Sequence, residues 1–199
     1  MVNDYKNFKY IYNFLSLNNK HLILMKIIII TGPSGSGKTS LAKKLMAKLE
    51  NCHVISTDDF YRTGKISNLL SKFLESYFDK QISHNGKLLK KTINNILINK
   101  EVNYSYKYDF IKKRTEISYM KSTNINNLII EGIFTLELLK FISTYDYLLI
   151  RLKLNKDICM KRIYERDHNE RGKSKKKSIE EFKKAWDIYN KKEISYKKN

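Results

Sequence analysis

The stretch Ile27-Ile28-Ile29-Ile30-Thr31-Gly32-Pro33-Ser34-Gly35-Ser36-Gly37-Lys38-Thr39-Ser40 decides the fold. Four isoleucines in a row show no alternation, the mark of a strand buried on both faces in a parallel sheet. From Gly32 to Thr39 the chain then matches G-x-x-x-x-G-K-[ST] in full. Glycines let a backbone wrap an anion closely with N–H groups pointing inward, and the N-terminus of the following helix adds the positive end of its dipole. Residues 40–49 supply that helix, with Leu41, Ala42, Leu45 and Leu49 at helical spacing. The alternative is a Gly-rich turn without a ligand, but a strand before and an amphipathic helix after are the context that phosphate binding demands.

Outward from this turn, the same alternation of elements continues. Strands are expected at 53–56, 128–130 and 147–152, and helices at 66–77, 88–98, 136–141, 156–166 and 178–189. Residues 102–110 and 114–119 have the polar alternation of two strands, in keeping with a hairpin. Strand, helix, strand, helix reads as α/β with a mostly parallel sheet. The expected architecture is a P-loop NTPase-type three-layer α/β/α fold with a small β-hairpin and a helical lid at about residues 160–178. Residues 1–24 lack clean periodicity and read either as a poorly ordered extension or as a short helix over 7–17.

A nucleoside triphosphate such as ATP, held by Gly32, Pro33, Ser34, Gly35, Ser36, Gly37, Lys38, Thr39 and Ser40, needs more than a cradle. Lys38 is the residue expected to bridge the β- and γ-phosphates, and the Thr39 hydroxyl to ligate Mg2+. Carboxylates are needed to complete the Mg2+ site and, where a hydroxyl is phosphorylated, to take its proton. Asp58 and Glu131 both stand just past apolar strands, where an open parallel sheet places its ligands. Asp59 is adjacent to Asp58 and is expected to point away, as a solvated loop acid.

Charge bears on partners. The 199 residues carry 39 Lys and Arg against 20 acids, a net charge of +19. Such a balance raises nucleic acid as a partner, but only six of the cations are Arg, and abundant Lys, Ile, Asn and Tyr match an AT-rich codon bias. Residues 151–199 hold 17 of the cations and eight acids. Around Arg166-Asp167-His168-Asn169-Glu170-Arg171-Gly172-Lys173, Arg162, Arg166, Arg171 and Lys173 have the character of lid cations that close over transferring phosphates, with Gly172 as a hinge. Charge therefore favours a small triphosphate ligand over nucleic acid. No apolar run approaches the ~20 residues of a membrane helix. Cys52 and Cys159 suit a reduced, cytoplasmic protein with structural thiols better than a disulfide scaffold. His21, His53, His84 and His168 show no metal-ligand spacing and receive no catalytic role. Trp186 and Tyr189, at i and i+3, read as core or interface.

Several blocks together resemble the uridine kinases (uridine–cytidine kinases), relatives of phosphoribulokinase: TGPSGSGKTSL at Thr31–Leu41, ISTDDFYR at Ile55–Arg62, Phe78-Asp79, Tyr108-Asp109-Phe110, Glu131-Gly132-Ile133, and Asp157 through Ser174. The likeness runs over residues 25–182. It implies an ATP-dependent kinase acting on the 5′-hydroxyl of a pyrimidine nucleoside, with Asp58 as general base and Mg2+ near Thr39, Glu131 and Asp58. It also implies that Tyr61, Phe78, Asp79, Tyr108 and Phe110 shape the nucleoside pocket, with Asp79 on ribose hydroxyls. Arg162 and Lys173 belong with the substrate-binding residues, and Arg166 and Arg171 with the catalytic ones. Homo-oligomers are common in the family. Departures are visible: Ile111-Lys112-Lys113-Arg114 holds no His where the family has one, and Lys173 stands at an Arg position, keeping charge without the bidentate fork. A kinase for another hydroxylated metabolite (another riboside, pantothenate or a sugar phosphate) is the rival reading, and a nucleotide-dependent nucleic-acid-binding protein a more distant one.

Overall fold

The structure, a computed structural model, describes residues 25–74 and 77–197. The expected extension over residues 1–24 lies outside them. A four-stranded sheet forms the centre, built from β1 (Lys26–Thr31), β2 (Cys52–Ser56), β5 (Asn127–Glu131) and β6 (Tyr147–Arg151) in the order β2-β5-β1-β6, with every pairing parallel. Ile27 to Ile30 are all fully buried. Their two faces explain why the run does not alternate. Ile27 and Ile29 join Leu128, Ile130 and Ile55 against Leu89, Ile93 and Ile96 of helix α3 (Gly86–Asn99). Ile28 and Ile30 pack with Ile129 against Ala42 and Leu45 of helix α1 (Lys38–Met46). Helix, sheet and helix make the three expected layers, and truncating a residue such as Ile29 to Ala costs about 2–5 kcal/mol.

The expected hairpin is present as β3 (Val102–Asp109) and β4 (Arg114–Ser122), antiparallel and separate from the central sheet. Two helical expectations need correction. Helix α2 spans only Lys65–Phe73, and the chain then turns through a short 3-10 segment at Tyr77–Asp79. Tyr77 is buried and its hydroxyl lies 2.8 Å from Ser67 Oγ. Ten residues along an unbroken helix would hold these groups about 15 Å apart, so burying Tyr77 requires the break. The helix expected at 136–141 is only a 3-10 turn, Thr135–Leu138. Leu136 and Leu138 are both buried, and a spacing of two places them on opposite sides of an α-helix.

The last two helices exceed their expected lengths. Helix α4 covers Lys156–Arg171 and α5 covers Lys175–Lys197. Lys, Glu and Arg are good helix formers on an exposed face, so the charged stretches extend both helices. Asn155 caps α4, its side chain accepting from Asp157 N at 2.8 Å, and Gly172 ends it in the left-handed region at φ 61°. Phe182 and Trp186 of α5 pack on Cys159 and Ile163 of α4, so Trp186 belongs to a core as expected, and Tyr189 is buried too. Both cysteines are free.

Candidate active site

The phosphate turn emerges from the buried end of β1 and opens α1. Gly37 caps α1 in the left-handed region at φ 95°, and the first turn of the helix carries no acid. Its positive end is therefore left to an anion. Gly35 (φ 79°) has no room for a side chain, because a Cβ there would come within 2.5 Å of the carbonyl oxygen of Cys159. The turn thus rests directly on α4. Lys38 is buried and its ammonium donates to the carbonyls of Gly32 and Pro33, each at 3.0 Å. Burial pushes its pKa down, while Asp58 and Glu131 pull the other way. Ser36 Oγ is buried without a hydrogen-bond partner, an orphan that a phosphate oxygen would satisfy. Ser34 faces the cleft described below, and Ser40 is exposed on α1.

Oxygen ligands converge beside this turn. Thr39 Oγ1 donates to Glu131 Oε1 at 3.1 Å. Glu131 is buried at the end of β5, opposite Ser56 at the end of β2. Burial raises the pKa of its carboxyl, and the charge of Asp58 raises it further, with Lys38 opposing. Asp58 sits in the 3-10 turn Thr57–Phe60 that leaves β2. Gly132 lets the two strand ends meet: at φ 138°, a Cβ there would strike Thr57 and lie 3.3 Å from Asp58 Oδ1. Hydroxyl and carboxylate oxygens are the donors a hard cation takes, and Mg2+ commonly uses one or two carboxylates plus phosphate oxygens. The residues present fit that pattern.

A cleft of about 890 Å³ runs from Ser34 and Asp58 across Tyr61, Phe78 and Phe110 to Arg166, Arg171 and Lys173. Tyr61, Phe78, Phe110 and Ile133 line it, and Tyr108 and Phe134 are buried behind them in the same aromatic cluster. Tyr61 meets Phe78 edge-on at 5.3 Å and Phe110 at 5.6 Å, and its hydroxyl donates to the Phe78 carbonyl at 2.9 Å. Four of the five expected pocket residues are therefore together. Asp79 ends the Tyr77–Asp79 turn, and its side chain lies outside the described part of the structure.

One acid that sequence reasoning left without a role organises the cations. Asp167 is 3% exposed. Its Oδ1 accepts from Arg166 at 2.9 Å and pairs with Arg171 at 3.2 Å, while Lys173 lies 3.6 Å from Oδ2. Lys173 also pairs with Glu181 at 2.6 Å. A spacing of i, i+4 to Arg171 was the available signal. Arg162, expected among the substrate contacts, instead donates to the Gly35 carbonyl at 3.4 Å and does not line the cleft. On a helix, four residues before Arg166, it faces the phosphate turn. Asp59 is not the solvated acid expected: its Oδ1 accepts from Tyr108 N at 3.0 Å, tying the Asp58 turn to β3. Partial burial, with Asp58 adding to it, raises its pKa to about 6. His84, also without an expected role, is buried and lies against Thr57. No sequence pattern marks it.

Residues 27–196 match the Phosphoribulokinase / Uridine kinase family. A uridine kinase of Borrelia duttonii is 29% identical over 163 residues, covering 80% of this chain and 75% of its own. Another from Ureaplasma parvum serovar 3 is 30% identical over 164 residues, covering 79% and 75%. Among solved structures, a putative fructose transport system kinase from Silicibacter sp. TM1040 superposes with a TM-score of 0.71 at 16% identity, over 90% of this chain and 92% of that one. A possible uridine kinase from Bacillus stearothermophilus superposes with 0.59 at 16% identity, over 97% and 96%. At such identities these two speak for the fold alone. Among the described residues no helix is long and apolar enough to cross a membrane.

Proposed function

Because the chain belongs to the Phosphoribulokinase / Uridine kinase family and is a small-molecule kinase, we propose that it transfers the γ-phosphate of ATP to the 5′-hydroxyl of a pyrimidine nucleoside, uridine or cytidine. The observation that carries this reading is the single cleft that runs from the phosphate turn past Asp58 into an aromatic floor and ends at the Asp167-held cations. Lys38 exchanges its two carbonyl partners for phosphate oxygens, and the backbone N–H groups of the turn hold the rest of the triphosphate. Thr39, Glu131 and Asp58 supply the ligands for Mg2+, which when bound offsets phosphate charge. Asp58 takes the proton of the attacking hydroxyl. Arg166, Arg171 and Lys173 stabilise charge on the transferring group and exclude water. Tyr61, Phe78 and Phe110 hold the nucleoside, with Tyr108 supporting them from behind and Asp79 on its ribose hydroxyls.

A coupled ADP-release assay on the purified protein tests this, with uridine, cytidine, purine ribosides, pantothenate and sugar phosphates offered in turn. Turnover confined to pyrimidine nucleosides is the expected result, and turnover on another class alone overturns it. One feature favours the rival, a phosphorylated acceptor. Lys72, Lys113 and Lys177 also line the cleft, and the Lys113 ammonium donates to the neutral hydroxyl of Ser71 at 3.3 Å.

A further inference from the structure

Asp58 stands on a four-residue 3-10 turn, a short element with poor hydrogen-bond geometry of its own. Its placement must come from outside the turn. On one side the missing Cβ of Gly132 lets Thr57 approach. On the other side is His84, 4% exposed, whose Nε2 lies 2.9 Å from the Thr57 carbonyl oxygen. A carbonyl only accepts, so Nε2 carries the proton and the ring is a donor there.

The same ring reaches the other strand end. It stacks on Phe134 at 4.6 Å and 21°, three residues beyond Glu131, and meets Tyr61 edge-on at 6.4 Å. Backbone bonds fix the segment that carries it. Arg62 N donates to the Ser83 carbonyl at 2.7 Å, and Asn85 N donates to the Phe60 carbonyl at 2.7 Å. Residues 83–85 therefore grip the turn from Thr57 to Arg62 along its length. We propose that His84 is the positioning residue of the site: through its Nε2–H bond to Thr57 and its stack on Phe134 it sets Asp58 in register with Glu131 and the attacking hydroxyl. This rests on the reading of Asp58 as the proton acceptor. Burial lowers the pKa of the imidazole, in keeping with a neutral donor. The charged groups that face it are Asp58, Lys192 and Arg62.

His84→Phe keeps a flat ring on Phe134 and removes the donor, whereas His84→Gln keeps an amide donor at the position of Nε2. With ATP and the preferred acceptor, His84→Phe should lower kcat about 10- to 100-fold, the effect of misplacing a reacting group by an ångström or less. KM for ATP and for the acceptor should stay within about twofold, and His84→Gln should recover most of kcat. A structural role alone would lower thermal stability and leave the kcat of folded protein intact. Unchanged kcat in His84→Phe, an equal loss in both variants, or a loss confined to KM overturns the assignment. Should His84→Phe not fold, His84→Asn, too short to reach Thr57, replaces it in the same comparison. Amide exchange at residues 57–60 gives a readout that needs no acceptor: faster exchange in His84→Phe than in His84→Gln is expected, and equal exchange overturns the clamp. A wild-type protein inactive on every nucleoside defeats the functional reading instead, and leaves that exchange comparison standing.

Discussion

The guanidinium of Arg171 lies 4.0 Å from the ring centroid of Phe110. The last turn of α4 and the aromatic wall of the cleft are therefore one unit, joined by a cation over a π-face. The same guanidinium pairs with Asp167 at 3.2 Å, so its plane is held from two directions. Movement of α4 relative to the hairpin would break this contact, so the acceptor wall and the cations over the phosphates keep their places together.

Arg171→Lys keeps the charge and loses the planar stack and fork. Steady-state kinetics should show kcat/KM for the acceptor lower by about 10-fold, the equivalent of about 1.4 kcal/mol, with KM for ATP less affected. Equal effects on both substrates would separate Arg171 from the acceptor pocket.

Asp167→Asn tests the carboxylate beneath the cations. Asp167 is buried but the side chains of Arg166, Arg171 and Lys173 are 39%, 18% and 28% exposed, so without the carboxylate they would be left facing one another with solvent screening part of the loss. Urea unfolding should give a midpoint well below wild type, part of which returns at high salt as repulsion is screened. A midpoint equal to wild type at low salt contradicts the role assigned to Asp167.

Much of this site is legible in the amino-acid sequence. The Ile27–Ile30 run and Gly32–Thr39 dictate strand, turn and helix through local geometry alone, and Glu131 follows from its place after an apolar strand. What escapes depends on contacts between distant segments. Asp59 looks like a loop acid until β3, 49 residues away, offers the Tyr108 N–H. His84 meets Thr57 across 27 residues. Helix α2 ends early because Tyr77 is buried under it, and Arg162 turns to Gly35 because α4 crosses the phosphate turn. Periodicity is blind to such pairings, since it reads neighbours along one element only.

Asp59 offers a pH test. Its carboxyl titrates at about 6 in the folded protein against 3.8 for an ordinary aspartate. Between those values the folded state holds a proton that the unfolded state has released, so stability falls as pH rises through this window and the cost persists above it. Asp59→Asn keeps an acceptor for Tyr108 N and removes that cost. Chemical denaturation should find the variant more stable than wild type by about 1 kcal/mol at pH 7.5, allowing for partial exposure, and no more stable at pH 4. A gain independent of pH would contradict the raised carboxyl.

Gly35→Ala probes the seat of the phosphate turn on α4. The added methyl would meet the Cys159 backbone at 2.5 Å and Ile163 at 3.1 Å, at a φ of 79° that side chains rarely adopt. Neither contact is a flexible side-chain end, so the turn must lift. ATP affinity should fall by at least about 10-fold, and stability by about 1–3 kcal/mol. Calorimetric titration with a non-hydrolysable ATP analogue reads the first, and thermal unfolding the second.

Lys38→Ala and Asp58→Asn separate binding from transfer. Lys38 faces the turn and meets phosphate when the nucleotide binds, and more strongly as charge shifts in the transition state, so its removal should weaken nucleotide binding and abolish turnover. Asp58 is assigned the acceptor's proton, and Asn preserves its volume and can still accept a hydrogen bond from Thr57, which lies 3.5 Å away. Asp58→Asn should fold normally and bind ATP within a few-fold of wild type, while phosphoryl transfer falls by about 100-fold or more, the usual contribution of a general base. Near-normal turnover in Asp58→Asn would remove it as the base. Full activity in Lys38→Ala would remove ATP from the phosphate turn and with it the kinase mechanism built on that turn.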